Sequence, residues 1–258
     1  MADLYFSSTL MWNSRLEEIF AMAYENGFAG VEFWAQHFAC RGYSAEEYVK
    51  LGALYPLKTI VHNFSWDLNL ASLNDGIREA SIRETKKAVE LLDSLGGYEL
   101  TVHPGHKSFE MKPDIYYERI KGSLEDIYEY ARERSIDVSL EIMEKNGKEF
   151  IVSGEAMETL TRDWPERFYY TLDVAHCDSE EILWDTLERL NRISKVHISN
   201  RKGTRLHTPL REGDYAFHRL LPELEKYRLP MVIEGFDGSS EFQILKDNIN
   251  YLREMGGL

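Results

Sequence analysis

Cysteine is nearly absent: Cys40 and Cys177 are the only two in 258 residues, too few for a disulfide framework or a thiolate zinc cluster. A reducing, cytoplasmic setting is the expectation. Long apolar runs are missing too. None approaches membrane-spanning length, and the opening Met1-Ala2-Asp3-Leu4 lacks the basic and apolar segments of a secretion signal, so no membrane partner is expected. Basic residues are scarce, 30 Lys and Arg against 44 Asp and Glu, for a net charge of −14. A broad grip on nucleic-acid phosphates needs the opposite balance, which makes DNA an unexpected partner. No Pro/Gly/Ser-rich linker, low-complexity tract or shift in composition divides the chain. A single domain over residues 1–258 is expected.

What the chain has is one repeated type of unit: a short β-prone run, a polar loop, then an amphipathic helix. The strands are expected at residues 4–8, 31–34, 58–62, 100–103, 138–142, 168–173, 193–198 and 231–234. Between and after them, helical periodicity covers residues 14–25, 44–55, 77–95, 113–134, 153–161 and 179–190. Ser44 with Glu47 forms a capping box, and two further helices are expected to start at Asp214 and Ser240. Eight strand–helix units in this length suit a single-domain α/β fold, a closed parallel (β/α)₈ barrel. In such barrels the chemistry gathers where strands end and the following loops begin.

The chemistry-bearing residues meet that demand. His62, His103, Glu141, Asp173, His197 and Glu234 end strands three to eight, and His176 and His207 lie in the loops after strands six and seven. Of the eight histidines only His218 falls inside an expected helix. Carboxylates and imidazoles converging on one point bury polar groups at a cost. A shared cation turns that cost into attraction, so one to three divalent metal ions (Zn²⁺, Mn²⁺ or Co²⁺) are expected here.

The motifs Gly27-Phe28-Ala29-Gly30-Val31-Glu32, His62 with Asn69-Leu70-Ala71-Ser72, and Val102-His103-Pro104-Gly105 open an ordered series. Leu140-Glu141, Leu172-Asp173-Val174-Ala175-His176, Lys195-Val196-His197-Ile198, the stretch from His207 to Asp214, and Val232-Ile233-Glu234 complete it. By these motifs the chain resembles the xylose isomerase-like TIM barrels, also called the AP endonuclease family 2 superfamily. Two branches of it are relevant. Resemblance to the endonuclease IV branch implies three zinc ions with nine ligands. His62, His103, Glu141, Asp173, His176, His197, His207 and Glu234 match eight, but the ninth, an Asp two residues before His207, is replaced by Arg205. Resemblance to the sugar isomerase and epimerase branch implies one metal held by Glu141, Asp173, His197 and Glu234. The two glutamates would then move a proton, and His176 would hold a substrate oxygen. The ketose 3-epimerases of that branch carry a Glu and an Arg where this chain has Gly147 and Gly203.

Around this centre, Arg201, Lys202, Arg205 and Arg211 concentrate positive charge in the loop after strand seven. With the turn Gly238-Ser239-Ser240 they suggest an anion pocket for a phosphate or carboxylate. Trp34, Phe64, Trp66 and Phe236 are candidates for an apolar wall against a sugar face. Glu32 is expected either to orient a metal ligand or to pair with Arg41. The function expected is a metal-dependent isomerase or epimerase acting on a small sugar, sugar phosphate, polyol or hydroxy-ketone. An endonuclease IV-like zinc phosphodiesterase acting on abasic-site DNA, a metal-dependent dehydratase and a non-catalytic ligand-binding barrel stand as alternatives.

Overall fold

Alternation along each strand decides which side chains reach the barrel axis and which reach the helices. The computed structural model describes residues 2–164 and 166–256. Strand β1 (Leu4–Ser7) leads through a 3₁₀ turn, Ser8–Met11, into α1 (Leu16–Glu25). After β2 (Gly30–Trp34) come α2 (Ala35–Arg41) and α3 (Ala45–Leu54). Then β3 (Lys58–His62), α4 (Asp75–Ser94), β4 (Glu99–Val102) and α5 (Asp114–Arg132) follow in turn. They continue with β5 (Asp137–Glu141), α6 (Gly154–Thr161), β6 (Tyr169–Asp173) and α7 (Glu180–Arg189). Strand β7 (Ile193–Ile198) precedes a two-stranded hairpin, β8 (Asn200–Lys202) and β9 (Arg205–Thr208), before α8 (Phe217–Glu225). The chain closes with β10 (Met231–Ile233) and α9 (Gln243–Glu254). β1 to β7 pair in sequence, all parallel, and β10 pairs with both β7 and β1. The expected closed (β/α)₈ barrel is the fold.

Each strand sends one set of side chains outward. Val61, Leu100, Val102, Val138, Leu140, Leu172, Val196, Ile198 and Ile233 belong to one apolar cluster with the inner faces of the helices. The set facing the axis is different. Among the described residues, Tyr5, Ile60 and Val232 form an apolar layer there. Above and around it lie Glu32, Glu99, Thr101, Ser139, Thr171 and Lys195, all buried. Ser139 and Thr171 are hydrogen-bonded at 2.7 Å, and the Lys195 ammonium is paired with the Glu99 carboxylate. Branched aliphatic residues usually fill such barrels. Here the axis is polar well below the mouth.

Helix starts follow the capping signals in most places. Ser44, Ser153 and Ser179 accept from the backbone of the first turn of α3, α6 and α7. Two expectations fail. α8 begins at Phe217 rather than at Asp214, whose carboxylate instead accepts from Gly203 N at 2.7 Å and fixes the β8–β9 hairpin. α9 begins at Gln243, and Ser240 does not cap it. Ser239 Oγ accepts from the backbone of Glu241 and Phe242, while Asp237 accepts from Ile244 N. The hairpin and the short α2 were not expected. His37 lies on α2, so His218 is not the one helical histidine.

Gly30 marks where two strands and the inner layer meet most tightly. A Cβ there would collide with the Lys58 carbonyl oxygen and the Tyr5 ring. Since β2 pairs with β3 at this point, the Lys58 carbonyl is backbone held in the ladder and cannot give way. Gly30→Ala is expected to lower stability by about 1–3 kcal/mol, as overpacked cores do. A urea midpoint equal to that of the parent chain would contradict this packing.

Candidate active site

The strand ends bring the expected residues together. Glu141, Asp173, His197 and Glu234 each offer one ligand atom, and these atoms lie within 4.8 Å of one another. The His197 imidazole is central. Its Nδ1 is 2.8 Å from Glu234 Oε2, 3.8 Å from Glu141 Oε1 and 4.0 Å from Asp173 Oδ2. A second group, His62, His103 and Glu141, shares the Glu141 carboxylate. Both imidazole Nε2 atoms are 3.4 Å from Glu141 Oε2. A third group joins Asp173 to His176 and His207. His176 Nδ1 is 2.9 Å from the Ile142 carbonyl oxygen, which aims the other ring nitrogen into the site. His207 sits on β9 with φ of 54°, a left-handed conformation uncommon outside glycine. All eight residues singled out as ligands therefore converge.

This cluster is electrostatically unfinished. Both Glu141 oxygens, Asp173 Oδ2, Glu234 Oε2 and His197 Nδ1 are buried without a hydrogen-bond partner among the described residues. Burial opposes charge on Glu141, yet His103 and His197 hold its carboxyl well below the usual range. Burial likewise opposes charge on Glu234, and His197 and His207 hold that carboxyl down too. Asp173 goes the other way, pushed up to about 7 by burial and Glu234 against the pull of His176. Burial would lower His176, but Asp173 and Glu141 raise it to about 9. Three carboxylates and five imidazoles are thus crowded together with several of their facing atoms unpaired. Unpartnered carboxylate oxygens around one imidazole nitrogen are a donor set suited to a divalent cation.

The family model described as "Xylose isomerase-like TIM barrel" matches residues 20–255. The chain belongs to the xylose isomerase-like TIM barrel family. Uncharacterized protein MJ1188 of Methanocaldococcus jannaschii is 28% identical over 232 residues, 88% of this chain and 85% of that one. The probable endonuclease 4 of Petrotoga mobilis is 29% identical over 161 residues, 55% of this chain and 54% of that protein. A solved structure of a D-tagatose 3-epimerase-like protein superposes with a TM-score of 0.83 at 21% identity, covering 99% of this chain and 98% of that one.

Around the centre, this xylose isomerase-like barrel departs from the sequence expectations. Arg201 is spent on structure: its guanidinium donates to the Cys177 carbonyl at 2.7 Å, to Gly203 O and to Asp178. Arg211 pairs with Glu254 and lies over the Tyr251 ring. Lys202 and Arg205 are exposed. In the turn Gly238-Ser239-Ser240, Ser239 N already donates to Asp237 Oδ1 at 2.8 Å. A carboxylate at that turn also repels an anion. Glu32 does not pair with Arg41, which donates instead to the Asn13 and Ser14 carbonyls.

The aromatic rim holds one residue that the sequence did not flag. Trp34 stacks on His62 with ring centroids 3.9 Å apart. Trp66 and Phe236, both about half exposed, meet on Trp12, at 5.5 and 5.3 Å. Phe64 is half-buried against the core. Trp12 comes from the turn after β1, where no strand or helix periodicity marks it. Beneath it the buried His37 stacks at 4.7 Å, with Nε2 on the Trp12 carbonyl and Nδ1 on Ser8 Oγ.

Two outcomes follow from this geometry. Zn²⁺ or Mn²⁺ at about 100 times its Kd should stabilise the fold by about 2.7 kcal/mol, read as a rise in Tm. Asp173→Asn should remove most of that rise, and no rise with either ion in the parent chain would refute the cation site. His37 is lowered to about 4 by burial, with Arg41 adding to the effect. Its unfolded pKa is higher, so its contribution is full above about pH 6.5 and is lost as pH falls toward 4, with a slope up to about 1.4 kcal/mol per pH unit. Urea denaturation from pH 7 to 4.5 should show a shallower decline for His37→Gln than for the parent chain.

Proposed function

We propose that this protein is a divalent-metal-dependent isomerase or epimerase acting on a small sugar or related hydroxy-carbonyl compound. The observation that carries the reading is the buried group Glu141, Asp173, His197 and Glu234, whose facing oxygen and nitrogen atoms have no other partner. A cation held there would polarise the substrate carbonyl and adjacent hydroxyl, making the carbon between them more acidic. Glu141 and Glu234 approach from β5 and from the end of β10, on either side of the His197 Nδ1. One can take the proton of that carbon and the other return it. His62 and His103 beside Glu141, and His197 beside Glu234, favour the ionised forms that accept protons. His176, 3.5 Å from Glu141 Oε1, is placed to hold a substrate oxygen. Trp34, Trp66, Phe236 and Trp12 offer apolar faces at the mouth.

The near full-length likeness to the D-tagatose 3-epimerase-like structure supports this choice of chemistry. An uncharged substrate is favoured over a phosphorylated one, since the Arg201 guanidinium is engaged by backbone carbonyls and Asp178 and the Asp237 carboxylate sits at the turn of residues 238–240. A second reading, a zinc phosphodiesterase, is favoured by the three adjoining ligand groups. Against it stand the net charge of −14 and the exposed Arg205 two residues before His207.

The deciding experiment incubates the metal-loaded protein with a panel of ketoses and hydroxy-ketones in deuterated water. Deuterium should enter at the carbon beside the carbonyl, and Glu141→Gln or Glu234→Gln should slow exchange by about 10²–10⁴-fold. Full exchange in both variants would refute the two-glutamate mechanism. Cleavage of an abasic-site duplex at moderate salt, with three zinc ions per chain and no exchange, would establish the second reading instead.

A further inference from the structure

Carboxylates flank both ring nitrogens of His197, neither of which makes a well-directed hydrogen bond among the described residues, and only one of the two faces the cation site. Nδ1 points at Glu234, Glu141 and Asp173. Nε2 lies 2.9 Å from Glu32 Oε2, on β2, at the opposite nitrogen from the other three carboxylates. Glu32 is fully buried. Its second oxygen accepts from Thr101 Oγ1 on β4, so the carboxylate is aimed at the imidazole from a fixed support. One inward position below His197 on β7, Lys195 adds an attractive positive charge while paired with Glu99.

A buried carboxylate is expensive where packing alone is needed, and an apolar side chain of similar volume would serve as well or better. The position of Glu32 is therefore informative. It is absent from the groups whose atoms converge as possible ligands, and its one near basic partner on the site side is a ring whose opposite nitrogen faces those groups. Carboxylates in this relation fix the tautomer and orientation of a metal-bound imidazole and raise its basicity.

We propose that Glu32 is a positioning residue: it accepts the Nε2 proton of His197 and so presents the Nδ1 lone pair to the cation. This rests on the metal-dependent reading above. Thr101 completes the device by donating to the other Glu32 oxygen.

The test uses full-length protein and zinc alone. Zinc Kd is measured by chelator competition, and histidine tautomers in the zinc-loaded protein are read by two-bond ¹⁵N–¹H correlation. The parent chain should show His197 protonated at Nε2. Glu32→Gln should weaken zinc binding by about 10–100-fold while its circular dichroism spectrum stays that of the parent. Should Glu32→Gln fail to fold, Glu32→Asp, which keeps the charge but withdraws it by one methylene, should still weaken zinc binding severalfold. A folded variant with unchanged Kd, or a His197 proton on Nδ1 in the zinc-loaded parent, overturns the proposal. No zinc binding by the parent chain overturns the metal reading and this one together, so the two failures are distinguishable.

Discussion

Three buried carboxylates and five imidazoles converge at one end of the barrel, and the rest of the molecule is arranged around that concentration of charge. In water Glu141, Asp173 and Glu234 would repel one another weakly. Inside the protein, with oxygens left unpartnered, burial together with the Glu234 charge pushes Asp173 up to about 7 while His103 and His197 hold Glu141 down. A divalent cation would satisfy all of these groups at once. Few other ligands could.

The fold contributes rigidity to this arrangement. Strands paired on both sides cannot slip without flipping every inward side chain outward, so the ligand atoms are set by register rather than by loop conformation. Asp173 opposes His197 across the β6–β7 ladder, and Glu141 opposes Thr171 one strand further on. His176 reaches the site from the loop after β6, and His207 from the β8–β9 hairpin. Both are tied down, His176 by the Ile142 carbonyl and His207 by Ser199. Polar residues continue below the site where branched aliphatics are usual, which places charged groups such as Glu32 and Lys195 in reach of the ligands from beneath.

Much of this was readable from residues in order. The outward face of each strand is apolar and the inward face is not, and the period-two pattern survives in short runs such as Val138-Ser139-Leu140-Glu141. The capping serines at 44, 153 and 179 act as their local sequence implies. Asp214 and Ser240 misled for a physical reason. A polar side chain before an apolar run can cap a helix or brace a turn, and here Gly203 N and the loop after β10 compete for those roles. Arg201 misled similarly, since a basic residue near a site is equally suited to anchoring backbone carbonyls.

By itself the sequence determined the eight-unit barrel and the set of residues that end its strands, because local hydrophobic period and chemical type are properties of neighbours along the chain. Distances between strand ends are not. Only the tertiary structure decided that Glu32 faces His197 rather than Arg41, that Trp12 gathers Trp66 and Phe236, and that Arg201 anchors the Cys177 carbonyl. Those pairings join residues 24 to 224 positions apart. Closure of the barrel brings them into contact.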